Sequence, residues 1–329
     1  MPCHTKCTDH SAPQREASLR GLLPGRARVL LGLALAAALS ALQLVSNVAA
    51  APSDTPGPQS PATAGGAEHH VGKVVLLELI TFDLARAKLF YGSLFGWTYR
   101  DVGAGQAQYS EAFLDGIQVA DLIFRTAPQD SARQPSWLTF ISVGDVDAAA
   151  ASAASQGAKI LVRPHDVPER GREAVIADPQ GSVFAILAAA SGDPPDVLAA
   201  PGEWIWSSLI TRDPDSDAAF YQSIFDYEVF EIPATDHSEH LILASDDYAR
   251  ASANSLPEGV SHAHPHWLNY VRVLDAAAVA RQAVELGGRV LVTPRLDRHG
   301  GMVAVVSDPM GAPFGLLEWP EDRVKGSTQ

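Results

Sequence analysis

KLFYGSLFGW at residues 88–97 returns further along the chain as AAFYQSIFDY at residues 218–227. The copies share Phe, Tyr, Ser and Phe at the same places, each pair 130 residues apart. Other identical pairs keep this spacing: Asp83 with Asp213, Trp137-Leu138 with Trp267-Leu268, Asp145 with Asp275, and Asp178-Pro179-x-Gly181 with Asp308-Pro309-x-Gly311. A constant spacing over so many separated positions indicates tandem duplication of one folding unit without net insertion.

Each copy also repeats a smaller pattern within itself. Val74 to Phe82 is rich in β-branched and aliphatic residues and predicts a strand. Asp83 then caps a predicted helix that ends at Gly96, and three short strands follow. The order begins again at Trp137, with last strands predicted at 159–162, 173–177 and 183–187. The sequence therefore predicts an α+β fold with four βαβββ motifs, two in each copy.

Composition limits the classes of partner. The 329 residues are 47% hydrophobic and 19% charged, which is ample for two buried cores. The formal net charge is −14, and it becomes −17 without residues 1–50, which carry five basic and two acidic side chains. Such an acidic protein is a poor partner for nucleic acid or anionic membranes. Both cysteines, Cys3 and Cys7, precede residue 10, so the rest of the chain has no thiol nucleophile.

The N-terminus is typical of an export signal. A basic region is followed by the uncharged run 29–45, and then by small residues ending near Ala50 and Ala51. This order predicts a secretory signal cleaved there; the alternative is an uncleaved membrane anchor. We expect an exported protein, periplasmic or extracellular. The predicted division is a signal peptide or anchor at 1–51, a disordered linker at 52–70, a first module at 71–190, a linker at 191–203, a second module at 204–319 and a polar tail at 320–329.

The capping Asp, the FY-x-x-(L/I)-F segment, a second strand and DP-x-G, all present twice, resemble the vicinal oxygen chelate superfamily. That group includes glyoxalase I, bleomycin-resistance proteins and extradiol dioxygenases. The resemblance covers about 74–190 and 204–319. It implies that each module is an eight-stranded sheet curled into an open barrel, with helices outside and a cavity inside. Fold membership alone does not fix the chemistry.

The resemblance also implies where a divalent metal would bind. One ligand lies seven residues before each capping Asp, and another lies four residues after the Gly of DP-x-G. In this sequence those positions are Leu76, Leu138, Trp206, Leu268, Ala185 and Gly315. None of these side chains can coordinate such an ion. The remaining position falls near Ala120 or Asp121 in the first module and near Arg250 or Ala251 in the second. We therefore expect no metal of the usual kind in either module.

Alternation along strands predicts the residues that face each cavity. The candidate ligand-binding residues are Leu76, Glu78, Leu138, Phe140, Trp206, Ser208, Tyr270 and Arg272. This mostly apolar and aromatic set suits a pocket for an organic molecule, and equally a cavity filled by its own side chains.

Glu78 is the candidate catalytic residue. Burying a carboxylate without a partner is costly, so an inward Glu on a central strand indicates a functional or structural role. It is a general base, a ligand anchor, or one half of an ion pair with Arg125 or Arg163. Arg272 is the charged group of the second cavity, where it either holds an anionic ligand group or pairs with an acid of its own module.

Three readings of function remain. The first is an exported, metal-independent protein that binds an apolar or aromatic small molecule in its cavities. The second is a lyase or dioxygenase with unusual metal ligands, drawn from Glu78, Asp121, His262, His264 and His266. The third is a structural or interaction module with filled cavities. No stable partner protein is expected, and pairing of the modules within one chain favours a monomer.

Overall fold

The computed structural model describes residues 68–102, 108–126, 134–231, 240–256, 264–296 and 301–319. The predicted export segment, nearly all of the first linker, His262 and the polar tail lie outside these residues. Within them, the chain forms sixteen strands and four helices. None of these helices combines the length and the apolar character that crossing a bilayer requires.

Module one contains the first eight strands and two helices. They are β1 (Val74–Thr81), α1 (Leu84–Phe95), β2 (Thr98–Val102), β3 (Tyr109–Leu114), β4 (Ile117–Phe124), β5 (Ser136–Ser142), α2 (Val146–Ser155), β6 (Lys159–Val167), β7 (Gly171–Ala177) and β8 (Val183–Ala189). The predicted βαβββ order is therefore present twice.

Module two repeats this order. Its elements are β9 (Trp204–Thr211), α3 (Pro214–Phe225), β10 (Glu228–Glu231), β11 (His240–Ser245), β12 (Tyr248–Ser255), β13 (His266–Val273), α4 (Ala276–Glu285), β14 (Arg289–Leu296), β15 (Met302–Ser307) and β16 (Pro313–Glu318).

Helix starts follow the repeated aspartates. The side chain of Asp83 accepts a hydrogen bond from the backbone N–H of Arg86 at 3.0 Å, as an N-cap does. Asp145, Asp213 and Asp275 cap the other three described helices in the same way. The predicted aspartate caps are confirmed, because capping is a local interaction that a sequence pattern can specify.

Each module is one open sheet of eight strands. The order is β2-β3-β4-β1-β5-β8-β7-β6 in module one and β10-β11-β12-β9-β13-β16-β15-β14 in module two. At the centre, β1 pairs antiparallel with β5, and β9 pairs antiparallel with β13. The first strand of every motif therefore lies at the middle of a sheet, where its side chains are most enclosed. The predicted α+β class with two tandem modules is confirmed.

Strand β6 is longer than the sequence predicted, ending at Val167 rather than Val162. Its pairing with β7 shifts register between Ile160 and Val162 and again between Val162 and His165. Such bulges admit Pro164, which has no N–H for a regular ladder. Because proline within a run argues against a strand, the sequence pattern predicted that the strand ends before Pro164.

The two faces of each sheet pack against different parts of the protein. On β1, Leu77 and Leu79 join a core that also contains α1 and residues of α4, whereas Leu76 and Ile80 face the concave side. A second core joins α2 of module one to α3 of module two. Each helix-covered face is thus shared between the modules, and each concave face belongs to one module.

Candidate ligand-binding site

The concave face of module one is an apolar surface built on adjacent strands. Leu76 of β1 lies opposite Phe140 of β5, and Phe140 lies beside Ala185 of β8. Leu138 and Leu187 extend the same cluster. Leu76 is half-buried, while Phe140 is only 1% exposed. The structure therefore brings together Leu76, Leu138 and Phe140, the apolar residues that the sequence assigned to the first cavity.

Glu78 is the buried carboxylate of this face, and its partner is Arg170. Both terminal nitrogens of Arg170 donate to Oε2 of Glu78, each at 3.2 Å. The predicted pairing of Glu78 with Arg125 or Arg163 is therefore wrong. Arg170 lies in the turn between β6 and β7, 92 residues beyond Glu78. Sequence periodicity cannot connect a turn residue with a distant strand, which is why Arg170 was missed.

Arg170 is the centre of a network that joins both halves of module one. Its terminal nitrogens donate to Oδ2 of Asp121 at 2.7 Å and to Oε2 of Glu173 at 3.2 Å. They also donate to the hydroxyl of Tyr109 at 2.7 Å. The guanidinium lies 5.5 Å from the ring centroid of Phe140, a distance at which a cation is attracted to an aromatic face. One planar side chain thus holds β1, β3, β4, β5 and β7 together across the concave face.

Burial and charge oppose each other in this network. Burial raises the pKa of Glu78, the guanidinium of Arg170 lowers it, and the Asp121 carboxylate raises it again, so that the net direction is upward. Burial likewise raises the pKa of Asp121 against the effect of Arg170. Burial lowers the pKa of Arg170, but the carboxylates of Glu78 and Asp121 outweigh it and keep the guanidinium charged. Three carboxylates thus share one fixed cation.

Module two has hydroxyl groups where module one has carboxylates. Ser208 occupies the place of Glu78 and lies opposite Ser252, as Glu78 lies opposite Asp121. The two serine hydroxyls are 2.9 Å apart, and the indole N–H of Trp206 donates to Ser252 at 3.2 Å. Asn254 adds a further donor to Ser252 at 3.1 Å. This polar group is neutral and satisfied within the module.

Tyr270 fills the centre of the second concave face. Its ring lies so close to Gly315 that a Cβ on residue 315 would be 2.0 Å from Cδ1 of Tyr270. Trp206, Leu268 and Trp319 complete the buried cluster around it. Tyr270, Trp206, Ser208 and Leu268 are each less than 9% exposed. The second face is therefore packed by its own side chains.

Arg272 lies at the end of this cluster, 6% exposed. It donates to the carbonyl oxygen of Ala199 in the linker between the modules, at 2.8 Å. The structure thus directs this predicted ligand-binding residue towards the linker backbone.

A separate groove of about 560 Å³ lies on the outer surface between α2 and β6. Its lining residues are Asp147, Ala150, Ala151, Ala154, Ile160, Arg163 and Pro164. It contains none of the predicted site residues.

Comparison with known proteins identifies the family. Residues 68–186 match the family model of the "Glyoxalase/Bleomycin resistance protein/Dioxygenase superfamily". Residues 207–317 match the family model of a "Glyoxalase-like domain". The putative glyoxylase CFP32 of Mycobacterium tuberculosis is 32% identical over 259 residues, covering 76% of this chain and 96% of the relative. The chain belongs to the glyoxalase/bleomycin resistance protein/dioxygenase superfamily.

Other known proteins are similar over comparable lengths. The anthracycline biosynthesis protein DnrV of Streptomyces peucetius is 31% identical over 257 residues, covering 73% of this chain and 90% of DnrV. Among solved structures, the Mn(II)-bound glyoxalase of Novosphingobium aromaticivorans matches with a TM-score of 0.54 at 15% identity, covering 76% of this chain and 82% of that one. The 2,3-dioxygenase LapB of Pseudomonas sp. KL28 matches with a TM-score of 0.53 at 13% identity, covering 77% of this chain and 94% of LapB. At such identities the structures support the shared fold.

Six of the positions at which the resemblance implies metal ligands hold residues that do not fit a metal ion. In module one they hold Leu76, Leu138 and Ala185, all apolar and facing the concave side. In module two they hold Trp206, Leu268 and Gly315, and the ring of Tyr270 fills the space beside the glycine. Divalent ions need imidazole, carboxylate or thiolate ligands, which these six positions lack.

On the fourth strand of each module, Asp121 and Ser252 are equivalent, because Asp121 pairs with Glu78 and Ser252 pairs with Ser208. Asp121 is one of the two residues that the sequence offered for a ligand in module one. Ser252 directly follows Ala251, one of the two residues offered in module two. Equivalent residues are 131 apart at this strand and 130 apart at the central strands, because module two has one extra residue before β11 and one fewer before β13.

The structure adds little support for metal binding by the histidines before β13. His264 and His266 precede and begin β13, and the ring Nδ1 of His266 lies 2.8 Å from the carbonyl oxygen of His264. Burial lowers the pKa of His266. Among the described residues, no group of three or more His, Cys, Asp or Glu side chains has the geometry to hold a metal ion. His262 lies outside that part of the chain.

Proposed function

We propose that this chain is a small-molecule-binding member of the superfamily, which takes an apolar or aromatic ligand on the concave face of module one without a metal ion. The observation that carries the proposal is the half-buried apolar wall formed by Leu76, Ile80 and Val175 beside the Arg170 network. Ligand sites combine apolar walls with a few fixed polar groups in this way. Glu78 supplies an acceptor at the polar end of the wall.

The proposal assigns the ligand to module one rather than to both modules. The second face is closed by Tyr270, whose ring lies against the backbone of Gly315. The structural role considered for filled cavities therefore suits module two. The names of two Streptomyces relatives, DauV and DnrV, refer to anthracycline biosynthesis, which supports an aromatic ligand for this chain.

A matched pair of substitutions tests the site. Ile80 and Ile210 occupy equivalent, half-buried places on β1 and β9. A thermal-shift screen of aromatic compounds on the purified chain supplies a probe, whose affinity is then measured by calorimetry. We expect Ile80→Gln to weaken binding about tenfold, because an amide replaces buried apolar surface, and Ile210→Gln to change it little. Equal effects of both variants, or no ligand at all, would contradict the proposal.

Glu78→Gln tests the polar anchor. The amide keeps the shape of the side chain and removes the charge that faces Arg170. We expect weaker binding of the probe with an unchanged fold by circular dichroism. If the affinity is unchanged, Glu78 serves the ion network alone.

The second candidate is a metal-dependent lyase or dioxygenase. It is favoured by the fold of the Mn(II)-bound glyoxalase and by Asp121, a carboxylate at one of the two residues that the sequence offers for the fourth-strand ligand. Elemental analysis of protein purified without a histidine tag separates the two candidates. Stoichiometric Mn, Fe, Zn or Ni would replace our proposal with the enzymatic one.

Two further expectations complete the proposal. The N-terminal sequence supports export, and mass spectrometry of the protein recovered from the cell envelope or medium should find a chain that begins near Ala51 or Pro52. A full-length chain confined to the membrane would support the anchor instead. The cores shared between modules support a monomer, which light scattering on a gel-filtration column measures directly.

A further inference from the structure

We infer that the guanidinium of Arg170 is the resident cation of module one and that it excludes divalent ions from the carboxylates around it. The inference concerns the cation and is independent of which ligand the apolar wall accepts.

The first observation is that three carboxylates contact the guanidinium of Arg170. Glu78, Asp121 and Glu173 come from three different strands, and each places a carboxylate oxygen 2.7–3.2 Å from a terminal nitrogen of Arg170. These side chains are at least 85% buried. A divalent ion could reach the same oxygens only by displacing the guanidinium. Buried carboxylates need a cation, and Arg170 already provides one in a geometry of short, charge-assisted hydrogen bonds.

The second support is the comparison of the two modules within one chain. The equivalents of Glu78, Asp121 and Glu173 are Ser208, Ser252 and Val303. In the sequence, Gly300 stands 130 residues after Arg170, although it lies outside the described residues. All four charged groups thus differ together between the modules. That is the pattern expected if the three acids and the arginine form one unit, since none of them is stable in a buried place without the others.

The third support is the fit of Arg170 to its aromatic neighbours. Its guanidinium lies 5.5 Å from the ring centroids of Tyr109 and of Phe140. A planar, weakly hydrated cation is stabilised by such faces, whereas a small, strongly hydrated divalent ion prefers oxygen ligands on all sides. The site is therefore shaped for a guanidinium.

Mn²⁺ binding tests the inference. Wild type, Arg170→Lys, Arg170→Ala and Arg170→Ala/Glu78→Gln are treated with EDTA, desalted and titrated with Mn²⁺, with the free ion followed by electron paramagnetic resonance. We expect no saturable site in the wild type or in Arg170→Lys. Arg170→Ala should bind one Mn²⁺ at least about tenfold more tightly than any residual, unsaturated binding by the wild type, because three carboxylates then face an empty centre. The added Glu78→Gln change should remove most of that gain.

Circular dichroism and one further variant test whether a lack of Mn²⁺ binding comes from misfolding. Arg170→Ala leaves three buried carboxylates without a cation, so it is also examined by circular dichroism with and without 1 mM Mn²⁺, a concentration on the order of that of weak protein sites. Arg170→Ala/Glu173→Val, which adopts the valine of module two, carries less unpaired charge. Folding rescued by Mn²⁺ supports the inference. A folded variant without the gain in affinity, failure of both variants to fold with Mn²⁺, or a wild-type Mn²⁺ site weakened by Glu78→Gln would each overturn it.

Discussion

The hydroxyl of Tyr221 in module two donates a hydrogen bond to the carboxylate of Asp178 in module one, at 3.1 Å. Tyr91 makes the reciprocal contact to Asp308 at 3.4 Å. Trp267 donates its indole N–H to the oxygen of Tyr221 at 3.0 Å, which completes a buried chain of three groups. The repeated tyrosine and DP-x-G motifs are thus joined across the modules, in both directions. Each motif recurs in the sequence because each module contributes one half of every such joint.

The two joints should differ in strength. We expect Tyr221→Phe to lower the free energy of unfolding by about 1–3 kcal/mol, because Asp178 and Trp267 each lose a buried partner. In Tyr91→Phe, Trp137 likewise loses the acceptor of its indole N–H, at 3.1 Å. This change should nevertheless cost less, since the Tyr91 hydroxyl lies 3.4 Å from Asp308, beyond the usual range for a strong O–H···O bond. Urea denaturation of the two variants measures the difference. An equal or reversed order would show that the longer contact is as strong as the shorter one.

Tyr270 and Gly315 should be strongly coupled. Gly315→Ala should destabilise the chain by about 1–3 kcal/mol or more, because its Cβ would overlap the Tyr270 ring. In a Tyr270→Leu background the same change should cost less, or even stabilise, since alanine suits a strand better than glycine does. A double-mutant cycle by urea denaturation gives the coupling. Ala185→Gly at the equivalent place in module one is the control, with an expected cost of about 1 kcal/mol.

Asp217 should make stability depend on pH. Burial raises the pKa of this carboxyl from 3.8 to about 6, against a hydrogen bond from Thr211 that lowers it. A group whose pKa is raised on folding contributes stability that is present below pH 4 and is lost as the pH rises through 6. The advantage of the wild type over Asp217→Asn should therefore shrink by about 2–3 kcal/mol between pH 4 and pH 7. Urea denaturation across this range gives the two curves.

Asp217→Ala is the matched control, because Ala87 occupies the equivalent place in module one and is fully buried there. It should show the same pH trend relative to the wild type as Asp217→Asn does. Parallel curves for the wild type and both variants would mean that Asp217 has no raised pKa.

Removal of the Arg170 charge should cost more as the pH rises. We expect Arg170→Met to lose about 3–5 kcal/mol at pH 7, because three buried carboxylates lose their cation. Burial already raises the pKa of Glu78 and of Asp121, and without the guanidinium both should rise further. These groups then take up protons on folding, so the deficit should be smallest near pH 5 and should grow towards pH 8.

Denaturation curves at several pH values measure this deficit. Arg125→Met is the control, because Arg125 is exposed and its side chain donates to the carbonyl oxygen of the neighbouring Phe124, so its loss should change stability by about 0.5 kcal/mol or less. A deficit for Arg170→Met that does not vary with pH would show that the carboxylates stay ionised without their cation.

The elements of the fold were within reach of sequence reasoning because their signals are local. Asp83 and its counterparts cap helices three residues away, and glycine at position 96 ends α1 in a left-handed conformation with φ of 78°. Strand alternation placed Leu76 and Phe140 on one face, as the register has them. The one substantial error in a strand, at β6, came from Pro164 and the bulges that accommodate it. Local rules fail where the backbone departs from regular geometry.

The ion network was out of reach for a different reason. Glu78 and Arg170 are 92 residues apart and meet only because the sheet curls, so neither spacing nor alternation relates them. The one available signal was comparison of the two copies, in which Glu78, Arg170 and Glu173 become Ser208, Gly300 and Val303. That joint change distinguishes a cooperating set from three unrelated substitutions.

The sequence by itself determined the duplication, the order of strands and helices and the family, because repeats, caps and alternation are written along the chain. Tertiary structure alone decided that the concave face of module two is filled, since the overlap of Tyr270 with any side chain at 315 depends on the distance between two strands. It also decided that the helix-covered face of one module packs on the other module, and that one guanidinium serves three carboxylates. Such contacts depend on how the sheets curve and meet, and curvature is a property of the assembled strands.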